Sequence, residues 1–184
     1  MFDIPIFDIN GITGGDFIGD MAAQAERPPV TRKRLGERAE ADFLSKAAGL
    51  GFMVAKPWGD SEPFDFIVEA GDGLKRIQVK SAHTLGKQGT YCVRMLDHGL
   101  DPYSRKKIDA MVAYVVPESA WYVFPARVFE KLRSLRLLPS GDHHPGKCRD
   151  EIKPSRFERY RDAWWILTGE RPAKSPAKTP GKLR

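Results

Sequence analysis

Three polar residues in the middle of the chain have the types and the spacing of a metal-binding hydrolytic site. The stretch Pro63–Ala82, PFDFIVEAGDGLKRIQVKSA, contains two predicted strands joined by Gly71-Asp72-Gly73, a strong hairpin signal. Because side chains alternate along a strand, Asp65, Gln78 and Lys80 are expected to converge on one face. Carboxylate and amide oxygens suit Mg²⁺, and a neighbouring lysine orients water or stabilises developing negative charge. The pattern indicates metal-assisted phosphodiester cleavage, and a polar sheet face exposed to water is the alternative interpretation.

A carboxylate in the preceding predicted helix is a candidate partner for this face. The stretch Gly36–Leu50, GERAEADFLSKAAGL, has the composition and the periodicity of a helix. Its apolar side chains that gather on one side are Phe43, Leu44, Ala47, Ala48 and Leu50. Glu40 falls in the middle of this apolar stripe and Glu37 lies at its edge. Because a carboxylate facing the core is costly unless it is paired or bound to a metal, Glu40 is predicted to join the metal site or to form a structural salt bridge.

The sequence from Gly36 to Ser81 resembles the PD-(D/E)XK nuclease superfamily, and specifically its group I intron-associated endonucleases. The matching residues are Gly36, Glu40, Asp65, Gln78, Lys80 and Ser81. The resemblance implies a restriction-endonuclease-like α/β fold, with a central mixed β-sheet of about four or five strands flanked by α-helices. It also implies a Mg²⁺-dependent DNA endonuclease, in which Mn²⁺ substitutes for Mg²⁺ and double-stranded DNA is the partner.

Residue by residue, the resemblance implies a role for five side chains. Glu40, Asp65 and Gln78 would be catalytic residues that hold the metal. Lys80 would be the catalytic lysine, and Glu37 is the alternative first acid. Gln78 stands where most superfamily members have Asp or Glu, so one negative charge is missing from the implied metal site. Two alternatives therefore stay open: a DNA-binding module with a lapsed nuclease site, and a structure-specific resolvase of the Holliday-junction type.

Basic clusters and one tryptophan are candidate DNA contacts. The chain of 184 residues has a formal net charge of +6, but five of its positive charges lie in the last 14 residues, which contain no acid. Local clusters are therefore more informative than the net charge. The candidate DNA-binding residues are Arg32, Lys33, Arg34, Trp58, Arg105, Lys106 and Lys107. The cations would contact phosphates in a salt-dependent way, although a solvated charged surface has the same pattern.

Composition divides the chain into an N-terminal extension (1–30), a nuclease-like domain (31–169) and a disordered basic tail rich in Lys, Pro and Ala (170–184). No apolar run approaches the roughly 20 residues of a membrane span, and the N-terminus lacks a secretory signal, so a cytoplasmic protein without a membrane partner is expected. Cys92 and Cys148 are expected to be free thiols. Because one site cuts one strand, cleavage of both strands implies a homodimer or a higher homo-oligomer.

Three further strands and two further helices are predicted after the hairpin. The strands are GTYCVRML, IDAMVAYVVP and AWYVFP. One helix is predicted over 126–138, because Pro125 suits a first helical turn. The other is predicted over 155–169, where Ser155 and Glu158 would form a capping box. The residues expected to share the apolar face of that last helix are Phe157, Tyr160, Trp164 and Leu167.

Overall fold

A mixed five-stranded sheet lies at the centre of the fold. The structure is a computed structural model that describes residues 30–71, 73–87, 89–97, 99–139 and 155–170. In chain order, the elements are α1 (Arg32–Gly49), β1 (Met53–Ala55), β2 (Phe66–Ala70), β3 (Gly73–Ala82), β4 (Tyr91–Arg94), β5 (Ala110–Val115), β6 (Ala120–Pro125), α2 (Ala126–Phe129), β7 (Ser134–Leu137) and α3 (Trp165–Thr168). The strand order is β1-β2-β3-β5-β6, and β3 and β5 run parallel while the other neighbours run antiparallel. The predicted α/β fold with a mixed sheet is confirmed.

The two faces of this sheet are covered by different elements. On the helix face, α1 and α3 pack on alternating residues of the strands, and Phe43 contacts Phe66, Trp121 and Trp164 at centroid distances of 5.1, 6.5 and 6.5 Å. On the ribbon face, an antiparallel pair formed by β4 and β7 packs over Met111, Tyr122 and Phe124. The sheet is therefore buried on both faces, as expected for a three-layer α/β domain.

Helix α1 forms as predicted, but its inward face is narrower than the sequence suggested. Its buried residues are Ala39, Phe43 and Ala47. Leu44 is 39% exposed, Leu50 is 40% exposed and Ala48 is also exposed, so the prediction of these three residues on the inward stripe was wrong. The reason is geometric, since a helix lying on a sheet buries mainly one i, i+4 row of side chains. Glu40 consequently lies beside the buried row, half-buried, at the edge of the contact.

The β2–β3 hairpin is present and antiparallel, with Phe66 opposite Ile77. Gly71 has a φ of 65°, and a Cβ at this position would lie 2.2 Å from the carbonyl oxygen of Thr168. Glycine is therefore required both for the turn and for the close approach of α3. Strand β2 begins at Phe66, so Asp65 immediately precedes the strand instead of lying within it.

The helix predicted over 126–138 was wrong beyond its first turn. Helix α2 ends at Phe129, Lys131 takes a left-handed φ of 79°, and Ser134–Leu137 form β7. The sequence SLRL also has a period of two, and pairing with β4 buries both of its leucines on the ribbon face. A partner distant in sequence therefore decides between two patterns that are equally compatible with the residues.

The helix predicted over 155–169 was also wrong, because two short helical turns are separated by Asp162 at a φ of 47°. Between them, Arg161 bridges to Tyr122 of β6, so the segment turns around the edge of the sheet. The four predicted apolar residues are all buried, but Phe157 and Tyr160 pack on the ribbon face whereas Trp164 and Leu167 pack on the helix face.

The capping box predicted from Ser155 and Glu158 does not form. Glu158 turns its carboxylate toward Tyr122, whose hydroxyl donates a hydrogen bond at 2.9 Å, and toward Arg161 at 3.1 Å. The Ser155 hydroxyl accepts instead from the backbone N–H of Phe157 at 3.3 Å. The buried tyrosine hydroxyl thus determines where Glu158 points.

Several predictions concern residues outside the described ranges. Residues 1–29 of the predicted extension (1–30), residues 171–184 of the predicted tail (170–184) and Cys148 all lie there. Cys92 is an exposed free cysteine, as predicted. None of the helices that the structure describes is long and apolar enough to cross a bilayer.

Candidate active site

Asp65 immediately precedes β2 and lies beside the part of β3 that extends past the end of β2. Its backbone N–H still donates to the carbonyl of Ile77 at 2.9 Å, while its carboxylate Oδ2 accepts the backbone N–H of Val79 at 2.7 Å. The side chain thus replaces the backbone carbonyl that a longer β2 would have provided. Burial raises the pKa of Asp65, the Val79 N–H opposes this shift, and the nearby charge of Glu40 adds to it.

Gln78 and Lys80 lie on β3 and reach the same place as Asp65. Gln78 is only 6% exposed, and its amide nitrogen Nε2 donates to Asp65 Oδ2 at 2.5 Å and to the carbonyl of Val79 at 3.3 Å. Lys80 is half-buried, with its Nζ 5.4 Å from the ring centroid of Tyr103. Burial lowers the pKa of Lys80, and the charges of Asp65 and Glu40 oppose this shift. Gln78 and Lys80 share one face because side chains alternate along β3, and Asp65 joins them from the residue that precedes β2.

Helix α1 contributes Glu40 to the same place. Glu40 Oε2 accepts a hydrogen bond from Lys56 Nζ at 2.7 Å, and its side chain is 24% exposed. This hydrogen bond raises the pKa of Lys56. The two interpretations of Glu40 are thus compatible, because a carboxylate that belongs to a salt bridge also lies close enough to Asp65 to influence its charge. Glu37, the alternative first acid, is exposed.

These side chains line one open cleft of about 610 Å³, here called the site cleft. Its lining residues are Arg32, Lys33, Leu35, Gly36, Glu37, Ala39, Glu40, Lys56, Asp60, Asp65, Gln78, Val79, Lys80, Ser81 and His83. The lining contains both cations and carboxylates, so both a polyanion and a bound cation have partners of opposite charge.

The predicted DNA-binding residues divide into two groups by position. Arg32 and Lys33 line the site cleft, whereas Arg34 is exposed on the same helical turn outside the lining. Trp58 is 100% exposed. Its neighbours Pro57 and Gly59 line a cavity of about 190 Å³ that shares Glu40 and Asp65 with the site cleft.

The cluster Arg105, Lys106 and Lys107 does not line the site cleft. Arg105 forms a salt bridge with Glu130 at 3.4 Å, and Lys107 forms one with Asp97 at 2.5 Å. Because two of the three cations have carboxylate partners, the structure gives this cluster less support as a DNA contact than it gives the first turn of α1.

Comparison with known proteins agrees with this geometry. The PD-(D/E)XK endonuclease family matches residues 30–150, a range that contains the whole site cleft. The chain belongs to the PD-(D/E)XK endonuclease family. Among solved structures it is similar to the bacterial homing endonuclease I-Ssp6803I, with 26% sequence identity, a TM-score of 0.58, and coverage of 76% of this chain and 92% of that chain. No curated protein gives a significant match.

Two residues of this nuclease domain that contact site residues were not predicted from the sequence. Lys56 follows a three-residue strand and neutralises Glu40, and Tyr103 covers Lys80 from a loop after β4. Both positions follow from tertiary packing, because neither residue stands in a periodic pattern that includes the site. The adjacency of Lys56 to Pro57 and Trp58 was the available signal, since loop residues beside a candidate site are often functional.

The predicted metal-binding side chains of the site cleft, Asp65, Gln78 and Glu40, would offer oxygen ligands. Among the described residues, no group of three or more His, Cys, Asp or Glu side chains is arranged to hold a metal ion. Asp65 uses Oδ2 for both of its side-chain hydrogen bonds, so within the described ranges Oδ1 is without such a bond. One free carboxylate oxygen, an amide oxygen and a second carboxylate suit a hard divalent cation that takes further ligands from water and substrate.

Proposed function

We propose that this nuclease is a metal-dependent endonuclease that hydrolyses phosphodiester bonds in double-stranded DNA. One observation carries the proposal: a single cleft of the family fold combines oxygen ligands with a half-buried lysine whose pKa is lowered by burial. Oxygen ligands beside such a lysine are the components that hydrolysis of a phosphodiester requires. The basic first turn of α1 at the cleft supports a polyanionic substrate.

Asp65, Gln78 and Glu40 would hold the cation, which is expected to be Mg²⁺ or Mn²⁺. When bound, such an ion supplies charge stabilisation at the scissile phosphate and an acidified water. Asp65 has the strongest claim, because two donors on Oδ2 fix the orientation of its carboxylate. Gln78 would contribute Oε1, since its Nε2 already donates to Asp65. Glu37 at the cleft remains the alternative to Glu40 as the first acid.

Lys80 would act on the reacting phosphate. Its ammonium is half-buried below the ring of Tyr103, and among the described residues it forms no salt bridge. A charge that is desolvated and without a fixed counterion interacts strongly with negative charge that develops beside it. Lys80 is therefore placed to stabilise the transition state or to orient the attacking water. Arg32 and Lys33 would hold neighbouring phosphates and so position the strand.

The proposal is tested by nicking of a supercoiled plasmid with Mg²⁺, using wild type, Asp65→Ala and Lys80→Ala. Matched controls are Glu69→Ala and Lys87→Ala, which remove the same charges from exposed residues outside the cleft lining. We expect the wild type and both controls to nick the plasmid and both site variants to fail. Equal background in all five proteins, with DNA binding retained, would identify a binding module without catalysis. A four-way junction cut in preference to linear duplex would instead identify a resolvase.

Cleavage of both strands further requires two sites, and we propose that two copies of the chain assemble into a homodimer or a higher oligomer on DNA. Sedimentation of the protein with and without a duplex gives the stoichiometry directly. A monomer that converts supercoiled plasmid only to the nicked form would contradict the assembly while leaving the proposed chemistry intact.

A further inference from the structure

The antiparallel pair of β4 and β7, here called the β4–β7 ribbon, has one buried and one exposed side. The buried residues are Tyr91, Val93, Leu135 and Leu137, all of which pack into the ribbon-face core. The exposed residues are Cys92, Arg94, Ser134 and Arg136. In the register of the ribbon, Cys92 is opposite Arg136 and Arg94 is opposite Ser134. The two arginines thus occupy diagonal positions on one outward surface.

This outward surface is basic. Among the described residues of β4 and β7, the exposed side carries Arg94 and Arg136 and no acidic residue, and the exposed Arg133 directly precedes β7. The helix predicted over 126–138 obscured this arrangement, because on a helix these residues would not face outward together with those of β4. The charge is therefore complementary to a polyanion over an area that the other basic clusters do not include.

The end of β4 lies near Lys80 of the site cleft, although no residue of the ribbon lines the cleft itself. Arg94 lies close enough to Lys80 for its charge to contribute to lowering the pKa of that ammonium. Met95, the next residue, accepts a hydrogen bond from the backbone N–H of Tyr103 at 3.3 Å, and the ring of Tyr103 lies 5.4 Å from Lys80 Nζ. A duplex with a phosphate at Lys80 would accordingly lie near the end of the ribbon that carries Arg94.

We infer that the exposed side of the β4–β7 ribbon enters the major groove of duplex DNA and reads base edges there through Arg94 and Arg136. The inference rests on the proposed function, since it takes duplex DNA as the substrate of the site cleft. The major groove is about 12 Å wide and admits a two-stranded ribbon. Arginine forms bidentate hydrogen bonds with the O6 and N7 atoms of guanine, so each arginine would specify a G·C pair.

The test uses the full-length protein and a library of duplexes randomised over about two helical turns, a span that covers a paired half-site. Binding is selected with chelator present, so that cleavage does not deplete the library, and bound duplexes are sequenced. The variants are Arg94→Ala, Arg136→Ala and Arg136→Lys. The control is Arg38→Ala, which removes the same charge from an exposed position of α1 outside the cleft lining.

We expect Arg94→Ala and Arg136→Ala each to lose about tenfold of the preference for a guanine at one position of the selected sequence. Arg136→Lys keeps the charge but not the guanidinium fork, so it should retain affinity for unselected duplex while losing that preference. Arg38→Ala should match the wild type. A thermal unfolding curve for each variant confirms that the fold is intact.

Three outcomes would overturn the inference. Unchanged sequence preference in all ribbon variants would show that the ribbon does not read bases. An equal loss of affinity for selected and unselected duplex would reduce the ribbon to a contact with phosphates. A change in oligomeric state in place of a change in preference would make the ribbon an interface between copies of the chain.

Plasmid nicking distinguishes these failures from failure of the proposed function. If the wild type cuts while the ribbon variants select as it does, the ribbon inference alone fails. If the wild type binds without cutting and the ribbon variants lose preference, the catalytic proposal alone fails.

Discussion

Two cations on the same side of β3 are surrounded in opposite ways. Arg76 donates from Nε to Asp109 Oδ2 and from Nη2 to Asp109 Oδ1, both at 3.0 Å, and from Nη1 to the carbonyl of Lys106 at 2.7 Å. Lys80, four residues later, forms no salt bridge within the described part of the chain and packs against the ring of Tyr103. Arg76 therefore has carboxylate and carbonyl acceptors for its guanidinium, whereas the Lys80 ammonium has no carboxylate in a salt bridge among the described residues.

The difference separates stability from chemistry along a single strand. Arg76 joins β3 to the segment that enters β5, so its hydrogen bonds hold two parallel strands in register. Such a saturated pair stabilises the fold but has little capacity left to respond to a substrate. Lys80 instead carries a desolvation cost in the folded protein. A desolvated ammonium interacts more strongly with an approaching phosphate than a fully hydrated one does.

The largest expected effect is a loss of cleavage in the variant Lys80→Met, which keeps the length of the side chain and removes its charge. We expect the cleavage rate to fall by about a thousandfold, since a single charge-stabilising donor accounts for effects of this order. The free energy of unfolding in urea should not fall, because the buried charge and its desolvation are removed together. A variant that lost stability in proportion to activity would show that Lys80 is structural, like Arg76, and would end the distinction between them.

The next effect is on stability and comes from the other end of the strand. Asp109→Asn removes the charge that pairs with Arg76, and we expect a loss of about 1.5 kcal/mol in the free energy of unfolding, because hydrogen bonds to charged groups contribute on this scale. Cleavage, measured below the unfolding transition, should stay within a few-fold of wild type. Arg76→Lys is the matched variant, and it should lose part of this stability because the ammonium cannot replace the bidentate fork.

This stability effect also has a predicted pH dependence. The hydrogen bond from Arg76 lowers the pKa of Asp109 below its ordinary range. The pair therefore contributes fully above the unfolded-state pKa of about 3.9, and the contribution is lost as the pH falls through the lower folded-state value. The deficit of Asp109→Asn should thus be constant near neutral pH and shrink in acid. A deficit that grew in acid would contradict the assignment.

A smaller effect is expected at Gln78, which lies between the two cations. Gln78→Glu restores a carboxylate next to Asp65, and the concentration of Mg²⁺ needed for half-maximal cleavage should fall by about tenfold, since added ligand charge tightens binding of hard cations. Without metal the same variant should melt at a lower temperature, because two carboxylates then lie close together. Gln78→Asn is the neutral comparison. An unchanged Mg²⁺ requirement in Gln78→Glu would remove Gln78 from the metal site.

The first half of the domain could be predicted from the sequence because its signals are local. Helix α1 and the β2–β3 hairpin follow from periodicity and from glycines at the turn, and alternation along β3 places Gln78 and Lys80 on one face. The family resemblance and the fold class were correct for the same reason. The predicted metal ligation itself remains a prediction, since it depends on the side chains in the presence of an ion.

In the second half, β4, β5 and β6 form within the predicted stretches, but two segments could not be predicted because their structure is determined by distant partners. The residues of β7 fit a helix until β4 offers a strand edge, and the segment after Ser155 fits a helix until Arg161 bridges to β6. In both places local propensity is weaker than tertiary pairing. The same dependence hid the pairing of Lys56 with Glu40 and the cover that Tyr103 provides for Lys80.

The smallest expected effect concerns the Tyr103 ring that packs against Lys80. It tests whether this ring stabilises the charged ammonium in its half-buried position. Tyr103 is 2% exposed, and its ring face lies toward the Lys80 ammonium at 5.4 Å. Tyr103→Phe keeps the ring and should cut DNA within about twofold of wild type, whereas Tyr103→Leu removes the cation–π contact and should cut about fivefold more slowly, equivalent to about 1 kcal/mol. Because both variants retain an apolar side chain, stability curves identify any contribution from packing. If Tyr103→Phe loses as much cleavage as Tyr103→Leu, the hydroxyl and not the ring supports Lys80. Lys80 would then depend on a hydrogen-bonding group, as Arg76 does, and the contrast between the two cations would be weaker.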